Sequence, residues 1–337
     1  MYRRLRVERP GSYPTVRYRA TMVSDAAQRR AALYPGAYAK VKDTVLALID
    51  VIELPPSGVG DSDLTGVGFI SPAQPPTEEL RAALAALDSL EVVQVRSAGI
   101  DWIAPLLPAD VMLCSARGAR DGPVAEWILG ALLGTTSGLL KWAGATSWVS
   151  GLGVEDLSSW TVLIVGMGSI GRTVEKYLAP IGANVIGVAS RARQGVVHSV
   201  EELPQLLPLA DAVVLLTPLT DSTQHLLGAA ELAALKDGAL LVNAARGQVV
   251  DTDALVAELQ RGRIRAVLDV TDPEPLPDGH PLWTAPGVLS ITPHVAGASA
   301  QANAAADQLV ADQLERWARG EPLINVVRPG SKITSQG

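Results

Sequence analysis

Hydrophobic and polar positions change their spacing repeatedly along this chain, and the changes mark out short strands and longer helices. From residue 44 onward, short apolar runs alternate with stretches whose apolar positions recur every three to four residues. The runs predict buried strands, and the helical spacing predicts amphipathic helices. Because the two alternate, the sequence favours an α/β fold with a doubly wound parallel sheet. The strands are predicted at 44–52, 67–70, 91–96, 111–114, 161–165, 184–188, 212–216, 239–243, 265–270 and 288–291, and helices at 77–88, 124–140 and 301–319.

A glycine motif follows the strand predicted at 161–165. Gly166, Gly168 and Gly171 have the spacing G-x-G-x-x-G, and apolar residues then recur at helical spacing up to Ile181. In a strand–turn–helix context the first glycine permits a tight turn and the second lets backbone approach a pyrophosphate. The third lets the helix pack on the strand, and the helix N-terminus attracts phosphate. Glycines also mark ordinary turns, but the flanking strand and helix favour a dinucleotide site.

The first forty residues do not follow the α/β pattern. Within residues 1–20 there are six arginines and one acidic residue, Glu8. We expect residues 1–40 to form an irregular N-terminal extension. A transit peptide and a translation start at Met22 are the alternatives.

The remaining chain is long enough for about two domains. Residues 123–295 contain the glycine motif and six predicted strands, and we expect them to form the dinucleotide-binding domain. The last predicted helix lies beyond the sixth strand and is not needed to complete that sheet. We therefore expect it to return to the first domain, which would be discontinuous and comprise 41–122 and 296–328. Residues 329–337 are expected to be a disordered tail.

Composition narrows the possible functions. The chain has 28 basic and 35 acidic residues and a formal net charge of −7, which argues against nucleic acid as a partner. A single cysteine excludes a disulfide framework, and the four histidines form no metal-binding pattern. No apolar run reaches the roughly 20 residues needed to span a bilayer. We expect a cytoplasmic protein that binds neither nucleic acid, membrane nor metal.

Three chemically useful side chains follow three of the predicted strands. Arg246 comes after the strand at 239–243, Glu274 after the one at 265–270, and His294 after the last. Ligands of open α/β sheets bind beyond the carboxyl ends of the strands, so the three can converge. A protonated histidine can donate a proton to a carbonyl oxygen that receives a hydride at its carbon. A neighbouring carboxylate orients that histidine and favours its charged form, and an arginine can bind a substrate carboxylate through two donors.

Five segments carry a resemblance to a known family: VGMGSIG (165–171), LLTPLTDSTQHLL (215–227), LLVNAARGQVVDTDAL (240–255), LDVTDPEPLPDGHPLW (268–283) and ITPHVAG (291–297). Through them the chain resembles the D-isomer-specific 2-hydroxyacid dehydrogenase family. The resemblance implies a discontinuous, flavodoxin-like substrate domain smaller than a Rossmann dinucleotide-binding domain, and usually a homodimer formed through the latter. It implies an NAD(P)-dependent oxidoreductase that interconverts a small 2-keto acid and the D-2-hydroxy acid, such as a glyoxylate or hydroxypyruvate reductase.

The same resemblance implies roles for individual residues. The catalytic residues fall on Arg246, Glu274 and His294, with His294 as the general acid/base. Backbone N–H groups of a first-domain loop would bind the substrate carboxylate together with Arg246 and His294, and this loop falls on Ser97, Ala98 and Gly99. The cofactor contacts are expected at Gly166, Gly168, Ser169, Ile170, Gly171, Ser190, Arg191, Thr217, Pro218, Ala244, Asp269 and His294.

One departure from the family bears on the cofactor. Ala189 stands at the end of the second nucleotide-domain strand, where the family usually has an aspartate that holds the ribose hydroxyls. Ser190 and Arg191 follow, and no acidic residue occurs between Glu175 and Glu201. An aspartate would repel a 2′-phosphate, whereas serine and arginine can bind it. NADP(H) is therefore favoured, with NAD(H) possible.

Other interpretations stay open from the sequence. A dinucleotide-sensing protein, similar to the corepressors that resemble this family, could retain the same residues. A formate- or phosphite-type dehydrogenase is a second alternative. Arg96 could reach a second anionic group of the substrate or lie in solvent at a strand end.

Overall fold

The computed structural model describes residues 29–73, 76–148, 154–192 and 197–331. It divides into two compact units, the first running to Ala116 and resuming at Ala306, the second comprising Arg117–Ala305. Within the described residues the strands are β1 Arg30–Leu33, β2 Asp50–Glu53, β3 Val67–Ser71, β4 Val92–Gln94, β5 Met112–Cys114, β6 Thr161–Val165, β7 Asn184–Ala189, β8 Val197–Ser199, β9 Ala212–Leu215, β10 Leu240–Asn243, β11 Arg265–Leu268, β12 Val288–Ile291 and β13 Val326–Arg328. The α-helices are α1 Pro35–Tyr38, α2 Asp43–Leu46, α3 Glu78–Ala86, α4 Asp121–Thr136, α5 Leu139–Trp142, α6 Ser169–Leu178, α7 Leu203–Leu206, α8 Ala229–Ala234, α9 Thr252–Gln260 and α10 Ala300–Ala318.

The sheet of the first unit has the strand order β13-β5-β4-β3-β1-β2. Strands β1 to β5 pair in parallel in the flavodoxin-like order 2-1-3-4-5, and β13 pairs antiparallel with β5. The strand predicted at 44–52 is wrong over its first half, because α2 occupies Asp43–Leu46 and β2 starts at Asp50.

Two segments, 30–33 and 329–331, are more ordered than the sequence predicts. The irregular extension predicted for 1–40 is wrong from residue 30 onward, because β1 lies inside the sheet with Ala31, Ala32 and Leu33 fully buried. Residues 1–28 lie outside the described residues. The disordered tail predicted for 329–337 is wrong at its start: Gly330 is buried, and the Ser331 backbone N–H donates to the Asp110 carbonyl at 3.1 Å. Residues 332–337 are not among those described.

Helix α10 packs on the first unit through Val310, Leu314 and Trp317, which share a core with residues of β1, β3, β4 and β5. The ring of Trp317 lies 5.7 Å from that of Phe69, and a Cβ at Gly68 would come within 2.8 Å of the Trp317 ring. A side chain at position 68 would therefore displace the helix. The division at Ala116 and Ala306 falls near the predicted boundary at 122/123 and within α10, beyond the predicted boundary at 295/296.

The second unit has a seven-stranded sheet in the order β12-β11-β10-β9-β6-β7-β8, parallel throughout. Numbered within the unit, this order is 3-2-1-4-5-6-7, the doubly wound Rossmann arrangement with one further strand. The sequence predicted six of these strands and missed β8, which has three residues. The predicted fold class is confirmed: an α/β protein with a Rossmann sheet and a second, flavodoxin-like sheet.

In the second sheet, buried apolar strands are followed by loops that carry polar residues. Apolar runs such as TVLIV in β6 and AVVL in β9 are buried on both faces, which is typical of a parallel sheet covered by helices. Polar residues follow the apolar runs at Ser190, Thr217, Asp269 and Thr292, so the loops at one sheet edge carry the reactive side chains. None of the described helices is long and apolar enough to cross a membrane.

Candidate active site

The glycine motif forms a tight turn between β6 and α6. Gly166 has φ +119°, and a Cβ there would come within 2.6 Å of the Leu216 carbonyl carbon. A Cβ at Gly171 would lie 2.5 Å from the Gly166 carbonyl oxygen, so this glycine lets α6 pack against the turn. A Cβ at Gly168 would meet only the Arg117 guanidinium, at 4.0 Å. The space above Gly168 is therefore open to a bulky group, as the approach of a pyrophosphate requires.

The end of β7 carries the residues expected to contact the adenosine ribose. Ala189 is half-buried at the last position of the strand, and Ser190 and Arg191 after it are exposed. A hydroxyl and a guanidinium that face solvent at this position fit a 2′-phosphate. Residues 193–196 lie outside the described residues.

Two further loops flank the glycine turn. The Thr217 hydroxyl oxygen is buried and has no hydrogen-bond partner among the described residues. A buried polar atom without a partner is uncommon, and a bound ligand is one way to satisfy it. Pro218 is exposed beside it, and Ala244 is half-buried after β10. These atoms, with the open space above Gly168, fit a dinucleotide.

Asp269 holds the loop that carries His294. Its side chain is buried, and its two carboxylate oxygens accept from the Thr292 hydroxyl at 2.6 Å and from the backbone N–H groups of Val295 and Ala296 at 2.8 and 3.0 Å. The carboxylate therefore binds both sides of position 294. The sequence predicts a cofactor contact for Asp269, and the bonds present in this structure are those that fix the loop.

His294 and Glu274 form a hydrogen-bonded pair. The His294 Nδ1 lies 2.7 Å from the Glu274 Oε1, and both side chains are partly exposed. His294 has φ +55°, a left-handed conformation, and its backbone N–H donates to the Asp269 carbonyl at 2.8 Å. A carboxylate on Nδ1 fixes the ring orientation and leaves Nε2 as the nitrogen that can exchange a proton with a substrate.

Arg246 lies on the neighbouring loop, after β10. Its backbone is fixed by Asn243, whose side-chain amide donates to the Arg246 carbonyl at 3.0 Å and whose Oδ1 accepts from the Ala245 N–H at 3.0 Å. A Cβ at Gly247 would overlap the carbonyl of Thr271, so glycine is required where this loop meets the one after β11. The Gln248 amide also donates to the Asp272 carboxylate at 3.2 Å.

The structure thus brings the three predicted catalytic residues to one edge of one sheet. Strands β10, β11 and β12 are adjacent, and the loops after them carry Arg246, Glu274 and His294. Contacts between the first two loops and between the last two hold them together. A cation for a carboxylate and an oriented imidazole for a carbonyl oxygen are the groups that 2-keto acid reduction needs.

The predicted substrate loop belongs to the first unit. It follows β4, with Ala98 exposed and Ser97 and Gly99 half-buried. The Ser97 hydroxyl donates to the Gly99 carbonyl at 2.6 Å and accepts from the Trp102 ring N–H at 3.1 Å, so side chains fix the shape of the loop. Arg96 does not lie free in solvent: its Nε donates to Asp307 at 2.6 Å, and its guanidinium stacks 4.4 Å from the Tyr34 ring centroid.

Sequence reasoning missed three residues near the site. Arg120, at the start of α4, donates to the Gly297 carbonyl and to the Asn303 side chain, and so holds the chain just after His294. Arg117 and Asp121 flank it and reach the glycine turn. No local pattern marks them, because their partners are distant in sequence. Among the described residues, no group of three or more His, Cys, Asp or Glu side chains could hold a metal ion.

Comparisons with known proteins identify a family and its relatives. A family model described as "D-isomer specific 2-hydroxyacid dehydrogenase, NAD binding domain" matches residues 131–296. A glyoxylate/hydroxypyruvate reductase B from Enterobacter is 33% identical over 263 residues, which cover 74% of this chain and 81% of that protein.

Two crystal structures have a similar fold over most of the chain. A D-isomer-specific 2-hydroxyacid dehydrogenase from Xanthobacter autotrophicus in complex with NADPH has a TM-score of 0.76 at 28% identity, covering 89% of this chain and 98% of that one. An NADPH-dependent glyoxylate/hydroxypyruvate reductase from Sinorhizobium meliloti in complex with NADP has a TM-score of 0.75 at 27% identity, with the same coverage.

Proposed function

The chain belongs to the D-isomer-specific 2-hydroxyacid dehydrogenase family, and from this premise we propose that it is an NADPH-preferring reductase of glyoxylate or hydroxypyruvate. The family predicted from the sequence is confirmed, and with it an NAD(P)-dependent oxidoreductase that interconverts a 2-keto acid and a 2-hydroxy acid. The observation that carries the proposal is the 2.7 Å His294–Glu274 pair on the sheet edge that also bears Arg246.

Each side chain of the site has one task in this proposal. Arg246 binds the substrate carboxylate through its guanidinium, and the backbone of 97–99 contributes further donors. The Nε2 of His294 donates a proton to the keto oxygen, and Glu274 keeps the ring in position through Nδ1. A bound nicotinamide dinucleotide supplies the hydride. In the reverse direction, Nε2 accepts the hydroxyl proton.

The cofactor preference rests on the chain after β7. Ser190 and Arg191 are exposed there, and Ala189 leaves no carboxylate to repel a 2′-phosphate. The Xanthobacter and Sinorhizobium proteins are complexes with NADPH and NADP. NADPH is therefore the proposed reductant, and NADH a weaker one.

A homodimer in the cytoplasm is part of the proposal. Large apolar side chains stay exposed at and beyond the end of α4: Leu133 is 40% exposed, Leu139 70% and Trp148 94%. Large exposed apolar side chains are typical of subunit interfaces, and a second copy of this chain would bury them there. The single cysteine, Cys114, fits a reducing compartment. Light scattering on the purified protein would give the mass of the assembly.

The decisive experiment is a panel of small 2-keto acids, each assayed with NADPH and with NADH by the loss of absorbance. We expect turnover of glyoxylate or hydroxypyruvate, with kcat/KM at least about tenfold higher for NADPH. Cofactor binding without turnover of any 2-keto acid would contradict the proposal and favour the dinucleotide-sensing alternative. Activity on formate or phosphite alone would favour a formate- or phosphite-type dehydrogenase.

A further inference from the structure

A cluster of charged and hydroxyl groups lies beside the glycine turn and has no part in the mechanism above. It comprises Arg117, Asp121 and Ser169, which come from the segment that starts the second unit, from α4 and from α6. The Ser169 hydroxyl donates to the Asp121 Oδ1 at 3.2 Å. Arg117 is an exposed residue, and its Nη2 is the nearest heavy atom to the position that a Cβ of Gly168 would take, at 4.0 Å.

The position of Arg117 matters because of what Gly168 does. This glycine opens the turn so that a dinucleotide pyrophosphate can approach the backbone. The guanidinium therefore lies at the border of the open space that the pyrophosphate would occupy. Gly118, with φ +96°, gives the chain a left-handed turn directly after Arg117.

The turn itself lacks a cation. Residues 166–171 are GMGSIG, and the next residue, Arg172, is exposed on α6 one turn into the helix. The helix N-terminus offers only partial positive charge, whereas a pyrophosphate carries two negative charges. A guanidinium that forms two parallel hydrogen bonds to phosphate oxygens would supply the missing charge.

The charge of Asp121 is a second feature that favours a guanidinium at this position. Its carboxyl is half-buried beside the turn; burial raises its pKa, while the Ser169 hydroxyl, the Gly118 backbone and the charge of Arg117 act in the opposite direction. An unneutralised carboxylate at this position would repel an arriving pyrophosphate. Arg117 offsets that charge, and Asp121 in turn attracts the guanidinium toward the turn.

We propose that Arg117 is a pyrophosphate ligand of the dinucleotide, positioned over Gly168 by Asp121 and the turn at Gly118. This inference rests on the proposed function only in that the chain binds a nicotinamide dinucleotide. It adds a cationic contact that the glycine motif does not contain. The arginine that binds the pyrophosphate comes from outside the β6–α6 turn, at the start of the unit.

The test is equilibrium binding of NADPH, followed by its fluorescence, to the full chain and to three variants. We expect Arg117→Ala to weaken binding about tenfold, and Arg117→Lys to recover part of the loss because it keeps the charge without the planar fork. Arg172→Ala removes an arginine of equal charge from the same turn region, and we expect a change of less than about twofold.

A second ligand separates the pyrophosphate from the rest of the cofactor. Adenosine 2′-monophosphate has the 2′-phosphate but no pyrophosphate, so its affinity should be the same for Arg117→Ala and the unmodified protein. Equal NADPH affinity in Arg117→Ala and Arg172→Ala would overturn the proposal. So would a parallel loss of adenosine 2′-monophosphate binding, because the effect would then not be confined to the pyrophosphate.

The two proposals fail in different ways. If the protein binds NADPH through Arg117 but reduces no 2-keto acid, the proposed function fails and this inference stands. If it reduces 2-keto acids and Arg117→Ala binds NADPH normally, the inference alone fails. Thermal unfolding of each variant, expected within a few degrees of the unmodified protein, controls for loss of fold.

Discussion

The two units share an α/β architecture, but one is formed by a continuous stretch of chain and the other by separate segments. Each has a sheet that is parallel except for β13, with candidate site loops after the parallel strands. In the second unit, every loop of the site follows its own strand within a few residues, and the strands come in an unbroken run of chain. The first unit is completed by segments far apart in the chain: β1 lies between β3 and β2, and α10 and β13 return to the unit after the second unit.

Buried polar pairs show the same contrast. In the first unit, the Gln313 amide on α10 donates to the buried Gln94 Oε1 at 3.0 Å, and Asp307 on the same helix pairs with Arg96. In the second unit, Asp269 binds the loop after the very next strand. The comparison indicates that sequence motifs locate a site best where the fold brings neighbours in sequence together.

The largest effect is expected from removal of the proton donor. His294→Ala should lower kcat by about 10²- to 10⁴-fold, because proton transfer to the keto oxygen is lost, while NADPH affinity stays within about threefold. Steady-state kinetics and NADPH binding measure the two. His198→Ala is a matched control, since His198 also pairs with a glutamate, Glu202, at 2.8 Å elsewhere in the unit. Near-full turnover of His294→Ala would refute its role.

The next largest effect tests how much helix α10 contributes to the stability of the first unit. Trp317→Ala should reduce the free energy of unfolding by about 3–5 kcal/mol, since it removes a buried ring that packs on Phe69 and whose N–H donates to Glu91 at 2.8 Å. Urea denaturation would measure it. Trp283→Ala, at a ring that is 49% exposed, should cost less than about 1 kcal/mol. Equal losses would contradict the assignment of α10 to this core.

Asp269→Asn should separate loop positioning from cofactor contact. The amide nitrogen would face one of the backbone N–H groups that now donate to the carboxylate. Two donors cannot form a hydrogen bond, and the loss is expected to cost about 1–3 kcal/mol. If the carboxylate acts through the His294 loop, kcat falls about tenfold or more and NADPH affinity changes little. Weaker NADPH binding with unchanged kcat would instead support the cofactor contact.

Arg191→Ala should change the cofactor preference. Loss of a guanidinium from the end of β7 is expected to raise the KM for NADPH about tenfold and to leave that for NADH nearly unchanged. The ratio of kcat/KM values for the two cofactors measures it. An equal change with both cofactors would indicate that the 2′-phosphate binds elsewhere.

The smallest effect concerns Cys114 on β5. Burial raises the pKa of its thiol to about 12, and only the thiolate reacts with disulfide reagents. At pH 8 the thiolate is then only about one part in ten thousand, and its fraction rises as the pH approaches the pKa. We expect no labelling of the folded protein and full labelling in urea. Rapid labelling without urea would show that β5 opens readily.

Sequence prediction was strongest in the second unit for a physical reason. The glycine motif and the residues after β10, β11 and β12 lie in loops whose geometry depends on the strand just before them. Gly166 needs a positive φ and Gly247 a close approach, and only glycine satisfies both conditions. The sequence does not predict strand β8, because its three residues, Val-His-Ser, form no apolar run.

Other errors fell where the chain pairs with distant partners. Strand β1 has only four residues, RAAL, and its burial comes from pairing with β2 and β3. The sequence could not decide whether Arg96 contacts substrate or lies in solvent, because its partner Asp307 lies on the distant helix α10. The sequence predicts Ser169 as a cofactor contact but not its bond to Asp121 or the approach of Arg117, because residues 117–121 and Ser169 lie in separate segments.

The amino-acid sequence by itself determined the alternation of strands and helices, the dinucleotide turn and the identities of Arg246, Glu274 and His294. These depend on local spacing and on side-chain chemistry. The tertiary structure alone decided that His294 bonds to Glu274, that Asp269 holds the loop around it, and that both chain ends complete the first sheet. Those facts depend on contacts between different elements of the chain, whose free energy is realised only once the sheets have formed.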